Sequence, residues 1–205
     1  MSKILICIPT FETIHPETFK SIWDLDKGGH EVIFDYVKGY DCGQARNKMV
    51  KKALDMKADY LFMVDADNIL PADALINLIE GQPKVVLGYC MRKPRKDPIY
   101  NGKTSIYRIH TLDFPIADAY SVEELEEMAA KGETKIKVHG GGAAIMLINT
   151  AVFHTIPFPW FEWRNYKSGT VLSEDLDFCV KCMNHDIPIL VDCRVKCGHI
   201  IKEVR

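Results

Sequence analysis

Two aspartates separated by one alanine, Asp65-Ala66-Asp67, follow the apolar run Leu61 to Val64 in the stretch YLFMVDADNIL. The run reads as an interior strand, so the acids stand where a buried element should reach water. Two carboxylates this close repel each other unless a cation or hydrogen-bond donors occupy the space between them. Oxygen ligands of this kind suit Mg²⁺ or Mn²⁺, which take one or two protein carboxylates and fill their remaining positions with phosphate oxygens and water. The alternative is a turn that Asp65 caps while Asp67 faces solvent, because turns favour Asp. A second acidic group, Ser173-Glu174-Asp175-Leu176-Asp177, opens an expected helix, where acids commonly cap the backbone and complement the dipole. Gly140-Gly141-Gly142 precedes an apolar strand; it allows a ligand to approach the backbone closely, or simply makes a tight turn.

Other chemistry-bearing residues are more scattered. Asp35 interrupts the otherwise apolar EVIFDYV, and Arg46 lies in Ala45-Arg46-Asn47, where its planar fork suits phosphate oxygens or an exposed helix face. His199 stands near the C-terminus, and a neutral imidazole is a reasonable Mn²⁺ ligand. Cys179, Cys182, Cys193 and Cys197 have a spacing compatible with structural zinc, although the first two fall mid-helix on an inward face, where Cys acts as a small hydrophobe. The place after the first strand holds PTFETI, not the G-x-G-x-x-G of a dinucleotide fold, and no G-x-x-x-x-G-K-[ST] is present.

The elements that must position these residues alternate. KILICI (3–8) reads as a strand, 16–26 as a helix opened by Pro16, and 31–37 as a second strand. Asp41 caps a helix over about 43–57, with Ala45, Met49, Ala53 and Leu54 on one face. The strand 60–64, a helix opened by Pro71 and running to Glu80, and a strand over 84–89 come next. Strands that read as apolar on both faces, alternating with helices, indicate a largely parallel sheet in an α/β fold. The pattern dissolves over 92–120, where RKPRKDPIYNGK reads as a surface loop. Beyond it come an exposed acidic helix (121–132), short strands at 135–139 and 143–148, a helix at 173–184, a strand at 188–192 and a last strand toward His199.

The 205 residues carry 47% hydrophobic and 26% charged residues, which suits one domain with a sizeable core. The net charge of −2 gives no global basic field for nucleic acid. No run approaches about 18 apolar residues, so no membrane span is expected. MSKILICIPTF reads as a first strand rather than a signal peptide, and the seven scattered cysteines point to a reducing, cytoplasmic compartment.

An ordered series of pieces spans nearly the whole chain: IPTF, QARNKMVKKAL, YLFMVDADNIL, GGGAAIMLINTAVF, PWF, SEDLDFCVKC and CGH. In this order and at these separations the chain resembles glycosyltransferases of the GT-A fold, most closely the small family-2-like enzymes. The resemblance implies a single GT-A domain, with a nucleotide-binding half over 1–90 and an acceptor-side half over 91–205. It implies transfer of a sugar from a nucleotide-sugar donor, UDP-sugar above all, with Mn²⁺ or Mg²⁺ as cofactor. Asp67 would then ligate the metal directly, Asp65 would lie nearer the ribose or a metal-bound water, and His199 would complete the coordination.

By the same resemblance Pro9, Thr10, Phe11 and Asp35 surround the base, Arg46 lies near the diphosphate or base, and Ala66 lies between the acids. Gly141 and Gly142 lie beside the donor sugar, and Trp160, in Pro159-Trp160-Phe161, faces sugar or acceptor. Asp175 would be the general base of an inverting reaction, Glu174 a second choice, and Asp177 a structural residue. Two further classes stay open: a nucleotidyltransferase acting on sugar phosphates, and a non-catalytic nucleotide-sugar-binding module. The acceptor is open too, a glycan, a modified nucleic acid or a protein. Arg92, Lys93, Arg95 and Lys96 either contact a polyanion or belong to a solvated loop.

Overall fold

The computed structural model describes residues 1–93, 102–109, 117–166, 169 and 171–200. Arg95 and Lys96 lie outside the described residues. The chain runs β1 (Lys3–Thr10), α1 (Pro16–Trp23), β2 (Glu31–Lys38), α2 (Cys42–Asp55), β3 (Tyr60–Val64), β4 (Asn68–Ile69), α3 (Ala74–Ile79) and β5 (Val85–Cys90). It continues with β6 (Lys103–Ile109), β7 (Ala117–Ser121), α4 (Val122–Ala130), β8 (Lys135–Val138), β9 (Gly140–Gly141), β10 (Ile145–Asn149) and α5 (Val152–Thr155). The remaining elements are β11 (Arg164–Asn165), β12 (Val171–Leu172), α6 (Glu174–Asn184) and β13 (Ile189–His199).

The central sheet has the order β2-β1-β3-β10-β5-β13-β4, with β8 also on β13. β1 is parallel to β2 and β3, and β13 is parallel to β5. β10 runs antiparallel between β3 and β5, so its start, at Ile145, faces the end of β3, at Val64. That reversal brings the Gly140–Gly142 turn to the same rim as the aspartates. Alternate strand residues enter two cores. Leu5, Cys7, Leu61 and Met63 pack with α2 and α6 on one face, while Ile4, Ile6, Phe62 and Val64 pack with α1 and α3 on the other. Every residue of β3 and β5 is buried, as expected of strands covered on both faces.

The Asp41 cap is present, its side chain accepting from the Gln44 N–H at 3.0 Å. Three expectations need correction. The span 92–120 is not a featureless loop: β6 and β7 pair antiparallel, with Thr104 and Ile106 buried. The helix over 121–132 is not wholly exposed, because Val122 and Leu125 reach the core. The two strands expected after 188 are one strand, β13, continued through a register shift between Val191 and Lys196.

Gly88 in β5 marks tight packing in the centre of the sheet. A Cβ there would lie 2.7 Å from Ile145 Cγ2 and 3.2 Å from the Val195 carbonyl oxygen, a backbone atom that cannot rotate away. Gly88→Ala is therefore expected to cost about 1–3 kcal/mol of unfolding free energy by overpacking. Urea denaturation measures this; an unchanged midpoint would mean that the strands can separate freely.

Candidate active site

The ends of β1 and β3, the turn before β10 and the first turn of α6 converge at one rim of the sheet. Two clefts open there. The first, of ≈ 490 Å³, is bounded by Pro9, Thr10, Phe11 and Tyr40 on one side and by Asp65, Ala66 and Asp67 on the other. The second, of ≈ 450 Å³, is bounded by Arg46, Asn68, Ser105, Gly142, Asp175 and His199. Asp65 and Lys93 belong to both, so the clefts meet at these two residues.

Asp65 is the residue after β3, and its N–H donates to the Ala144 carbonyl at 2.9 Å, tying the strand end to the glycine turn. Its Oδ1 lies 3.2 Å from Arg46 Nη2. Arg46, only 4% exposed, also meets Glu174 Oε1 through Nε at 3.2 Å and the Ala143 carbonyl through Nη1 at 3.1 Å. The guanidinium is thus spent on linking three elements: the strand end, the glycine turn and α6. A fork turned wholly toward a phosphate does not describe it.

Asp67 is arranged differently. Its Oδ2 lies 2.7 Å from Lys93 Nζ and 3.5 Å from His199 Nε2. These neighbours, His199 first, hold its carboxyl well below the usual carboxylate range, and the Asp67 carboxylate in turn raises His199 to about 10. The short strand β4 pairs Asn68 with His199 on β13, which is how a residue 132 positions later in the chain returns to the acids. His199 Nδ1 lies 3.2 Å from the Met91 carbonyl, which fixes the ring with Nε2 toward Asp67.

A divalent ion is compatible with this donor set. One carboxylate and one imidazole face each other, and the imidazole's second nitrogen is held by a backbone carbonyl, the outer-shell pattern of metal-bound His. Among the described residues no group of three or more His, Cys, Asp or Glu gathers, so the protein supplies at most two close ligands. The remaining positions suit phosphate oxygens and water. Asn68 Oδ1, buried beside this pair, has no hydrogen-bond partner.

Asp175 lines the second cleft together with His199. Its Oδ1 accepts from the Leu176 N–H at 2.9 Å and from the Ser173 hydroxyl, while its Oδ2 lies 3.4 Å from the Ala143 N–H. It lies in the first turn of α6 and borders the second cleft at once. Glu174 is buried behind it, against Arg46. Asp177 is fully buried in ion pairs with Arg164 at 2.5 Å and Lys181 at 2.7 Å.

Several expected site residues lie elsewhere. Asp35 borders neither cleft; its Oδ2 pairs with Lys52 and its Oδ1 accepts from the Tyr36 N–H at 2.7 Å. Trp160 donates its indole N–H to the Phe153 carbonyl at 3.0 Å and packs edge-on against Phe153. Gly141 is required by packing: a Cβ would lie 2.6 Å from Leu87 Cδ1, whereas Gly142 borders the second cleft. The four cysteines are not gathered; Cys179 Sγ instead reaches the Gly141 carbonyl at 3.6 Å.

Sequence reasoning missed Asn47, whose Oδ1 accepts from the Trp160 and Phe161 N–H groups at 3.0 and 3.2 Å and whose Nδ2 donates to the Phe161 carbonyl at 2.6 Å. An Asn on the helix face beside a buried Arg was its only signal. Lys93 reads in the sequence only as part of a basic loop.

The buried network generates two expected outcomes. Removing one partner of a buried ion pair leaves an uncompensated charge, so Arg46→Met is expected to cost about 3–5 kcal/mol in chemical denaturation, with Arg46→Lys intermediate. Burial, then the neighbouring Asp175 charge, pushes the Glu174 carboxyl above its ordinary 4.5. The folded state then holds that proton more tightly than the unfolded chain. This contribution to stability is complete below the ordinary value and is lost as pH rises through the raised one. Wild type should lose unfolding free energy relative to Glu174→Gln as pH is raised from 4.5, whereas parallel stability–pH curves would rule this out.

The sequence matches no protein-family model and no curated protein. Solved structures similar in fold include A197 from STIV, with a TM-score of 0.65 and 17% identity, over 98% of this chain and 86% of that one. They also include GalNAc-T7 with UDP, GalNAc and Mn²⁺, with a TM-score of 0.57 and 12% identity, over 99% of this chain. The chain spans 45% of that glycosyltransferase's length. At these identities the likeness concerns the fold, and the fold of this chain is GT-A-like.

Proposed function

We propose that the protein is a glycosyltransferase of the small family-2-like kind, using a nucleotide-sugar donor, a UDP-sugar, and inverting the anomeric centre. The observation that supports the reading is the meeting of two clefts at Asp65, with Asp67 lining the first and His199 and Asp175 lining the second. The chain acts as one unit: residues 1–90 form the nucleotide half and 91–205 the acceptor side. Its seven free cysteines suit a cytoplasmic setting.

In this reading the nucleotide lies in the first cleft, between Pro9-Thr10-Phe11 and the aspartates. Asp67 and His199 would hold a divalent ion, with Lys93 displaced from the carboxylate. When bound, Mn²⁺ or Mg²⁺ offsets the charge that grows on the departing diphosphate. Asp65, fixed on Arg46, lies toward the ribose. The sugar sits beside Gly142, in the second cleft. Asp175 takes the proton of the acceptor hydroxyl as that oxygen bonds to the anomeric carbon and the bond to the diphosphate breaks. GalNAc-T7, with UDP and Mn²⁺ bound, supports the choice of donor and ion by likeness of fold.

Screening nucleotide sugars without an acceptor and weighing the released nucleotide by mass spectrometry tests the reading, because slow donor hydrolysis needs no partner. Release of a nucleoside diphosphate supports it. Pyrophosphate release would make the protein a nucleotidyltransferase, and tight UDP binding without turnover would make it a binding module. Asp67→Ala is expected to abolish Mn²⁺-stimulated hydrolysis and Mn²⁺-dependent UDP binding. Asp175→Asn should keep UDP binding and lower transfer by about 10²–10⁴-fold, the usual worth of a general base. Equal loss of binding and transfer in Asp175→Asn would remove it from that role.

A further inference from the structure

Outside the two clefts, a groove of ≈ 370 Å³ lies between the outer strand β2 and helix α2. Lys38, Lys48, Lys51 and Lys52 border it together with Tyr36 and Tyr40, and Asp55 is the sole acid among its bordering residues. Lys52 is engaged by Asp35 and by the Tyr36 carbonyl at 3.2 Å. Lys48 Nζ lies 4.3 Å above the Tyr40 ring, and Lys38 and Lys51 have no ion pair among the described residues. Tyr36 and Tyr40 are 51% and 39% exposed. Among the described residues β2 is the last strand on its side of the sheet, and no described strand covers this edge. In a chain of net charge −2, a surplus of cations here runs against the overall sign.

We propose that this groove binds single-stranded nucleic acid, with Lys38, Lys48 and Lys51 taking successive phosphates and the faces of Tyr36 and Tyr40 stacking bases. Exposed tyrosine rings, Tyr40 with one face under Lys48, set among lysines of which Lys38, Lys48 and Lys51 have no ion pair among the described residues, are the two components that single-strand binding requires. An acidic peptide would use the lysines and leave the ring faces idle. Tyr40 also borders the first cleft, so a strand in the groove would end at the mouth of that cleft. The proposal does not depend on sugar transfer and would stand if that reading failed.

The test is fluorescence anisotropy of a labelled fifteen-residue oligo-dT with the full chain, over 50 to 200 mM salt. Three neutralised phosphates on a single strand predict a log–log salt slope of about −2, which is roughly a 15-fold loss of affinity across that range. Lys38→Glu with Lys51→Glu should weaken binding at least about tenfold, since each change both removes a contact and adds a repelling charge. Tyr36→Ala with Tyr40→Ala should weaken oligo-dT binding by about tenfold and leave binding of inorganic polyphosphate unchanged. All four side chains are on the surface, and thermal melting of each double variant checks that it is folded. Absence of binding at 50 mM salt, or the same affinity in the Glu variant, would overturn the proposal. So would polyphosphate competing as well as oligo-dT with no effect of the Tyr changes, which would leave an anion patch only.

Discussion

The rim of the sheet is organised around one buried guanidinium. Arg46 projects from α2 into the gap where β3 ends, where the turn into β10 begins and where α6 starts. Each of these elements leaves something costly there: a carboxylate in Asp65, a backbone carbonyl at Ala143, and a second carboxylate in Glu174, itself only 4% exposed. Buried groups of this kind are tolerated when paired and hydrogen-bonded, and are strongly destabilising when one partner is missing. A planar fork with donors in three directions satisfies all three at once, which a lysine ammonium on a flexible stem could not do with the same geometry. The position of Asp175, next to Glu174, is set by this arrangement.

The sheet's reversal explains why these elements meet. If β10 ran parallel to β3 and β5, its start would lie at the far end of the sheet, away from the aspartates. Running antiparallel, it pairs Ile145 with Val64, and Ala144 receives the Asp65 N–H. The glycines before it then serve two ends. Gly141 lets the chain pass close to Leu87 and the Ser105 carbonyl, and Gly142 keeps a side chain from pressing on Ser105 and on Asp175 Oδ2, 3.2 and 3.5 Å from where its Cβ would stand. Ligands in open α/β sheets bind where strand order reverses, and here that reversal lies between β1, which has β2 on its other side, and β3, at the strand ends that border the first cleft.

Much of this could be read from the sequence, for physical reasons that also mark where reading failed. Continuous apolar runs such as Leu61 to Val64 and Val85 to Tyr89 report burial on both faces, so the α/β pattern through residue 90 was legible. Asp41 as a cap was legible because it needs only its own local backbone. The hairpin of β6 and β7 was not, since a strand with Thr104 and Ile106 inward among Lys, Ser, Tyr and Arg carries too weak an alternation. Asp35 looked like a site residue because it breaks an apolar strand; its partner, Lys52, sits seventeen residues away on a different element. Trp160, expected to face sugar or acceptor, has its indole N–H on the Phe153 carbonyl and its backbone on Asn47. Partnerships that depend on tertiary approach leave no spacing in the sequence to detect.

A difference of tertiary partners also separates the two aspartates beyond β3. Both carry a cation in the structure, yet the two cations differ in freedom. Arg46 is 5% exposed along its side chain and tied on several sides, so Asp65 is anchored and its charge is already answered. Lys93 is 48% exposed and holds Asp67 through one ammonium on a flexible stem. Exposed ion pairs contribute little and exchange readily, whereas a buried, multiply bonded network does not. A ligand that brings its own positive charge can therefore displace Lys93 from Asp67 at small cost, and cannot do the same to Arg46 at Asp65. Asp67, with His199 beside it, is thus the more loosely held of the two acids, and Asp65 is the one that holds the rim in shape.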